Sequence, residues 1–170
     1  FQLTGQGVTG VFGWPTVIND ENIEGYRSIA TPGAVAGLCE AHQRFGKLPL
    51  KDVLEPAIRL ARFGHNPSWH YIYSIGSLAR MLFNYNELRR VFMPDGHMPT
   101  SDLVTPYILR QPDLANVLDE IATKGPDGFY KGDIAQAITA EIQSNGGVLS
   151  MEDMESYRPF IWNNGLEFSY

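Results

Sequence analysis

The stretch that decides the fold covers residues 26–64. It reads Tyr26-Arg-Ser-Ile-Ala-Thr-Pro-Gly-Ala-Val-Ala-Gly-Leu-Cys-Glu-Ala-His-Gln-Arg-Phe-Gly46 and continues as Lys47-Leu-Pro-Leu-Lys-Asp-Val-Leu-Glu-Pro-Ala-Ile-Arg-Leu-Ala-Arg-Phe-Gly64. Prolines and glycines divide it into segments whose apolar residues recur at helical spacing. We therefore predict that this stretch is helical.

The first of these helices is expected to begin at Thr31. A threonine hydroxyl can cap a helix, and Pro32 suits the first helical position because the N–H that it lacks would be unpaired there. Gly46 is typical of a helix end. One apolar stripe, expected to face a neighbouring element, consists of Val35, Leu38, His42 and Phe45.

The second half of the stretch is expected to form two pieces. Pro49 begins a short helical turn that runs to Leu54, and Pro56 begins a separate helix that Gly64 ends. The division rests on proline, because proline inside a helix removes a backbone hydrogen bond and clashes with the preceding turn.

Helices continue along the chain, with strands only near its ends. We predict helices over residues 69–83 with a kink near Gly76, over 86–92, from a cap at Asp113, and over 133–143, and a capping box at Ser150 that starts a last turn. Residues 1–12 and 160–170 are predicted to be strands. The fold class is therefore α+β, in one partial domain over 1–170 whose helical region is 31–157.

Composition excludes several classes of function. The 170 residues are 44% apolar and 19% charged, with a formal net charge of −6, which is a globular balance. Nucleic acid and anionic membranes are excluded as partners because both need clustered Lys and Arg, and Arg89-Arg90 is the only adjacent pair. No stretch reaches the ~20 apolar residues of a membrane span. The first residues do not match a signal peptide, and both ends look like cuts in a longer chain; the compartment stays unknown.

Three further segments complete an ordered series of motifs. They are Asp113-Leu-Ala-Asn-Val-Leu-Asp-Glu-Ile-Ala-Thr-Lys-Gly125, Phe129-Tyr-Lys-Gly-Asp-Ile-Ala135 and Gly146-Gly-Val-Leu-Ser-Met-Glu-Asp-Met-Glu-Ser-Tyr-Arg-Pro159. Together with residues 26–64 they resemble, in order and rough spacing, the middle of the large subunit of the γ-glutamyltransferase (γ-glutamyltranspeptidase) family of N-terminal-nucleophile hydrolases. The resemblance covers about residues 26–160.

The resemblance implies both a fold and a function. The fold is a four-layer αββα sandwich in which this region supplies helices. The implied activity is transfer or hydrolysis of γ-glutamyl or related acyl groups on amides. A threonine freed by self-cleavage at the start of the small subunit is the nucleophile, and it would lie outside this chain. The implied partners are the remaining segments of the same precursor and a small-molecule amide, with no cofactor. The alternative is a non-catalytic structural or interaction module that keeps the family scaffold.

One loop bears on the substrate. In typical family members a glycine-flanked arginine near the equivalent strand clamps the α-carboxylate of the γ-glutamyl group, whereas Gly5-Gln-Gly-Val-Thr-Gly10 contains no arginine. Gln6 and Thr9 are the substrate-binding candidates that remain, and neither supplies a charged, bidentate partner. A different alignment of this loop stays open.

Other reactive side chains have simpler interpretations. His65 and His70 are five residues apart around a proline turn, a poor spacing for a metal pair, so no metal site is predicted. His42 is expected to be packed or half-exposed, and His97 to face solvent. Cys39 is expected to act as a small buried hydrophobe rather than as a nucleophile. Core packing is favoured over a ligand groove for the aromatic residues Trp69, Tyr71, Tyr73, Phe83 and Tyr85.

Overall fold

The computed structural model of the protein describes residues 2, 16–100, 106–162, 165 and 167–169. Within these residues the chain is helical and forms no strand; an isolated antiparallel bridge joins His65 to Leu109. The helices are α1 (Ala34–Phe45), α2 (Leu50–Phe63), α3 (Trp69–Ser77), α4 (Ala79–Leu82), α5 (Asn86–Phe92), α6 (Pro112–Lys124), α7 (Asp127–Tyr130), α8 (Gly132–Ser144) and α9 (Met151–Ser156). The prediction of a mostly helical chain is confirmed for this part of the sequence.

The predicted terminal strands have different outcomes. Residues 1–12 lie outside the described residues, apart from residue 2. The described residues of 160–170 are not in a strand, and the strand expected there stays a prediction. A strand needs a partner for its backbone N–H and C=O groups, and a lone strand is not stable in water.

The chain divides into two compact units. The first consists of Phe1–Lys47 and Lys124–Tyr170, and the second of Leu48–Thr123. The single partial domain expected over residues 1–170 stays a prediction.

The first unit is built around α8. This helix contacts α7, α9 and a 3-10 turn at Tyr26–Ser28. Its buried side packs with residues from α1, α7 and α9, which gives a core of Ala36, Tyr130, Ala135, Ile142, Leu149 and Met154. Ile138 and Ile142, four residues apart in α8, both pack in this core, as helical periodicity predicts.

The second unit has a smaller core, and ion pairs from two arginines join its helices. Ile75, Leu82 and Met93 pack together. Arg90 forms an ion pair with Asp113 at 2.9 Å, and Arg62 pairs with Asp119. These contacts join α5 and α2 to α6, but exposed ion pairs stabilise little, typically under about 1 kcal/mol.

Two helix boundaries predicted within residues 26–64 are wrong. The N-cap of α1 is Gly33 rather than Thr31, and no side chain of the flanking residues caps it. Residues 50–63 form one helix with Pro56 inside it, not two pieces. The missing hydrogen bond is tolerated because Pro56 and Asp52, whose carbonyl loses its donor, lie on an exposed side where water can bind that carbonyl.

Other boundaries agree more closely. Ser68 caps α3 by accepting from the N–H of Tyr71, and Ser150 forms the predicted capping box with Asp153. The helix expected over 69–83 is interrupted at Leu78 rather than at Gly76. α6 begins at Pro112, so Asp113 lies in its first turn instead of capping it.

Candidate functional site

The residues predicted to contact a substrate, Gln6 and Thr9, lie outside the described residues. Their role stays a prediction. Three features of the described part of the chain bear on a site: a buried tyrosine at the start of α1, a cavity along the outer face of α1, and a loop cavity in the second unit.

A tyrosine from α7 closes the start of α1. The backbone N–H of Ala36 donates to the hydroxyl of Tyr130 at 3.1 Å, and that hydroxyl in turn donates to the carbonyl of Pro32. Tyr130 is only 4% exposed. The first N–H groups of a helix have no partner within it, so Tyr130 performs the capping that the sequence assigned to Thr31.

A second tyrosine explains the glycine in Thr31-Pro32-Gly33. The ring of Tyr157 stacks on Tyr130 with centroids 5.7 Å apart and planes at 17°, and a Cβ on residue 33 would clash with its hydroxyl. Gly33 has φ −93°, a value that any residue adopts. Glycine is therefore required there for space and not for backbone conformation.

The chemistry of this cluster is structural. Burial raises the pKa of Tyr130, and the hydrogen bond from Ala36 opposes the rise only in part. The hydroxyl therefore stays protonated at neutral pH, which lets it donate to Pro32 and accept from Ala36 at once. A neutral phenol engaged in both directions positions a helix and is a poor general base.

The histidines do not assemble into a centre. His42 is half-buried on α1, whereas His65, His70 and His97 are exposed, as expected for His97. The ring of His97 hydrogen-bonds the carbonyl of Asp95 at 2.8 Å. Among the described residues no group of three or more His, Cys, Asp and Glu side chains could hold a metal ion.

Cys39 is half-buried on α1. Burial raises the pKa of its thiol. The thiolate, which is the nucleophilic form, is therefore disfavoured at neutral pH. Cys39 was expected to be a small buried hydrophobe rather than a nucleophile; its raised pKa agrees with the second part, but its side chain is only half-buried.

Core packing was the wrong expectation for part of the aromatic stretch. Trp69 is 71% exposed and Tyr73 is 69% exposed; these residues lie one turn apart on α3. Phe83 is also exposed. The face of α3 that packs is the one with Ile75, which joins Leu82 in the small core of the second unit.

A loop cavity of about 520 Å³ lies within the second unit. Its lining includes the charged residues Asp95 and Arg110, and also His97 and Tyr107. The hydroxyl of Tyr107 donates to the carbonyl of Phe92 at 3.2 Å. The exposed guanidinium of Arg110 donates to a backbone carbonyl at 3.2 Å. The hydroxyl of Tyr107 and one N–H of Arg110 are thus engaged in hydrogen bonds within the unit.

A second cavity, of about 350 Å³, lies in the first unit along the outer face of α1. One wall has Gly37, Ala41 and Phe45 at four-residue spacing, and the other has residues 159–162. The rings of Phe160 and Trp162 meet edge to face at 5.0 Å. We call this cavity the α1 groove.

The stripe predicted on α1 does not face the core as a whole. Val35 packs against the core of the first unit, but Leu38 is 72% exposed and Phe45 is 80% exposed. The helix instead buries the side with Ala36, because Tyr130 anchors it there.

Sequence reasoning missed the parts played by Tyr130 and Tyr157. Both stand in the motifs used for the resemblance, but a cap supplied from 94 residues away leaves no local signal. The α1 groove does have a local signal in the sequence. Gly37, Ala41 and Phe45 recur every four residues and so share a helix face.

The class of protein follows from comparison with known families. A sequence model of the gamma-glutamyltranspeptidase family matches residues 15–169. The chain belongs to this family, as the motif series indicated.

Relatives and a solved structure agree with that assignment. The chain is 35% identical over 145 residues to a glutathione hydrolase proenzyme of Pseudomonas aeruginosa, covering 84% of this chain and 24% of that protein. It is 37% identical over 138 residues to acylase ACY 1 proenzyme of Pseudomonas sp. strain V22, covering 81% of this chain and 24% of that protein. The crystal structure of Helicobacter pylori gamma-glutamyltranspeptidase matches with a TM-score of 0.77 and 30% identity, over 84% of this chain and 40% of that one.

The chain thus spans about a quarter of the length of these curated relatives. Among its described helices, none combines the length and the apolar character needed to cross a bilayer.

Proposed function

We propose that this chain is part of the large subunit of a γ-glutamyltransferase-like enzyme. The enzyme hydrolyses γ-glutamyl or related acyl amides, or transfers the acyl group to an amine. The observation that carries the proposal is the family match over residues 15–169. Relatives named glutathione hydrolase and acylase, at 35% and 37% identity, support the same class of reaction, which is attack on an amide.

The family relation suggests the course of the reaction. The nucleophile is a threonine outside this chain, at the start of a small subunit produced by self-cleavage. Its amine accepts the hydroxyl proton as the oxygen attacks the amide carbonyl. The C–N bond then breaks, the amine leaves with a proton, and an acyl-enzyme ester remains. Water or an acceptor amine takes the acyl group and restores the hydroxyl.

This chain contributes framework and one edge of the substrate pocket. In the proposed four-layer αββα fold, its helices cover central sheets to which residues 1–12 and 160–170 add strands. The tyrosine cluster supports this role, since Tyr130 fixes the start of α1 through Ala36 and Pro32. Gln6 and Thr9 would lie at the edge of the pocket.

The proposed substrate class extends beyond γ-glutamyl compounds. The Gly5–Gly10 loop offers no guanidinium for an α-carboxylate, and a neutral amide or hydroxyl does not replace a bidentate ion pair. Acyl groups without that carboxylate are therefore the preferred donors. The acylase relative supports this extension.

The test is to express the full product of the gene that encodes this chain and to assay release of aniline from a γ-glutamyl anilide. We expect cleavage into two subunits and turnover, both lost when the threonine that begins the small subunit is replaced by alanine. The 170-residue chain alone, tested in parallel, is expected to be inactive. Turnover by that chain that survives repurification and is lost on a point mutation within it would contradict the proposal.

The alternative, a non-catalytic structural or interaction module, predicts different results. Its coding sequence would lack a threonine cleavage segment after Tyr170, and its full product would neither be cleaved nor turn over any amide. Reading the flanking coding sequence separates the two at once.

A further inference from the structure

We propose that the α1 groove is a docking surface for another segment of the same precursor polypeptide, and that this segment is apolar and uncharged. The inference rests on the proposed function, which makes the chain one part of a longer precursor. It adds to that function the surface of this chain that another part of the precursor contacts.

The groove presents large apolar groups to solvent. Phe45 is 80% exposed, Phe160 is 78% exposed and Trp162 is 68% exposed. Phe160 and Trp162 are two residues apart in sequence, and their rings meet edge to face with centroids 5.0 Å apart. An exposed apolar patch of this kind marks an interaction site, because water-exposed aromatic surface is stabilised by burial.

The helix wall leaves room for a side chain of the occupant. Gly37, Ala41 and Phe45 lie one turn apart on α1, so that two small residues precede a large one. A Cβ added at Gly37 would meet nothing within 4 Å. The groove is therefore open at Gly37.

Charge argues for a neutral occupant. The charged residues that line the groove are Glu40 and Arg44, and these form an ion pair with each other at 2.6 Å. The pair leaves no net charge at the edge of the groove. An acidic or basic peptide would therefore gain nothing that an apolar segment lacks.

Length argues for the same polypeptide as the source. The chain spans 24% of two relatives that it matches at 35% and 37% identity, and 40% of a solved structure with a TM-score of 0.77. The matched region is thus one part of a larger folded protein in the family. An apolar face of one part is buried by another when a domain forms around one hydrophobic core.

The experiment measures the reactivity of a thiol placed in the groove. Cys39 is replaced by serine, and Ala41→Cys is introduced into both the 170-residue chain and the full precursor. The matched control is Ala137→Cys, an exposed alanine of α8 in the same unit that has Asp133 and Glu141 four residues to either side. Each maleimide labelling rate is divided by the rate of the same variant in urea.

We expect Ala41→Cys to react roughly a hundredfold more slowly in the precursor than in the isolated chain, as for a site that reacts only through local opening. The normalised labelling rate of Ala137→Cys should differ by less than about threefold between the precursor and the isolated chain. Equal labelling of Ala41→Cys in the two forms would overturn the inference. So would a gene product that ends at Tyr170, or protection in the isolated chain that grows with its concentration, since a second copy would then cover the groove.

A pair of glycine variants provides an independent test. Gly37→Leu and Gly76→Leu both add a side chain to a helix where a Cβ meets nothing within 4 Å, but only Gly37 lines the groove. Neither should lower the melting temperature of the isolated chain, because leucine favours helix over glycine. In the precursor, Gly37→Leu should reduce the yield of soluble protein severalfold and Gly76→Leu should not. A precursor that tolerates Gly37→Leu as well as Gly76→Leu would contradict the inference.

These results are separable from the enzyme assay. A precursor inactive on every amide but protected at Ala41→Cys would refute the proposed function and support the docking surface. An active precursor in which Ala41→Cys reacts as fast as in the isolated chain would support the proposed function and refute the docking surface.

Discussion

Tyr130 and Ala36, 94 residues apart in sequence, are joined by a buried hydrogen bond of 3.1 Å from the backbone N–H of Ala36 to the tyrosine hydroxyl. The same hydroxyl donates to the carbonyl of Pro32. The start of α1 is thus held by a side chain from α7, and both helices belong to the first unit. This cluster, the capping box at Ser150 and the loop without arginine each make a testable contribution to stability or to substrate choice.

Replacing Tyr130 with phenylalanine removes the hydroxyl and keeps the ring. The N–H of Ala36 then loses its partner in a buried site, a change that costs about 1–3 kcal/mol of unfolding free energy. Urea unfolding followed by circular dichroism measures the difference. Tyr73→Phe is the control, since Tyr73 is 69% exposed; equal effects of the two changes would contradict the capping role of Tyr130.

Gly33→Ala should destabilise the protein because its Cβ would overlap the hydroxyl of Tyr157. Overpacking of this kind costs about 1–3 kcal/mol. Tyr157→Phe removes the overlapping oxygen, so the double variant should recover part of the loss. A double-mutant cycle measured by thermal unfolding gives the coupling. Strictly additive effects would mean that the hydroxyl does not set the requirement for glycine.

The capping box at α9 should make stability depend on acid. The N–H of Ser150 donates to Asp153 at 2.8 Å, and the N–H of Asp153 donates to the hydroxyl of Ser150 at 3.1 Å. The hydroxyl of Ser150 also donates to the carboxylate of Asp153 at 2.6 Å. This bond, together with the one from the N–H of Ser150, holds the pKa of Asp153 below its ordinary value. Because the folded state has the lower pKa, its stabilisation is full above the unfolded pKa of about 3.9 and is lost as the pH falls through the folded value.

Asp153→Asn should therefore lower the melting temperature at pH 7, and its difference from the unmodified protein should shrink as the pH falls below about 4. Glu152→Gln is the control, because it removes a carboxylate from the same turn and leaves the capping box in place. A difference for Asp153→Asn that does not change with pH would show that the carboxylate charge is not what Ser150 stabilises.

The processed enzyme should accept acyl groups that lack a γ-glutamyl α-carboxylate. Loss of a charge-assisted partner typically costs on the order of 2–5 kcal/mol, which is roughly a thirtyfold to several-thousandfold loss of binding. We expect kcat/KM to be higher for the butyryl version of one amide than for its γ-glutamyl and glutaryl versions. Glutaryl removes only the amine, and butyryl removes the carboxylate as well. A γ-glutamyl preference over butyryl above about a hundredfold would show that another cation binds the carboxylate.

Some boundaries could be read from the sequence because their causes are local. Ser68 and Ser150 cap helices through N–H groups three residues ahead, so the signal lies within one turn. Gly64 ends α2 with φ +88°, a conformation that glycine adopts without strain. Pro56 shows the limit, because exposure of the surrounding turn decided whether the helix could continue through it.

The candidate site, too, could be predicted from the sequence only in part. The residue types of the Gly5–Gly10 loop, with Gln6 and Thr9 and without arginine, are fixed by the sequence, and their contact with substrate stays a prediction. The exposure of Leu38 and Phe45 could not be read from periodicity. A helical stripe shows that residues share a face, but it does not show what covers that face.

The sequence by itself determined the family, the helical character and the ends of most helices, because spacing, caps and turn residues act within a few positions of the chain. Only the tertiary structure decided that Tyr130 caps α1, that Tyr157 requires a glycine at residue 33, and that Phe45 faces outward. Each of these depends on contacts between residues that are distant in sequence. Burial and hydrogen-bond partners are set by those tertiary contacts, and no local segment determines them.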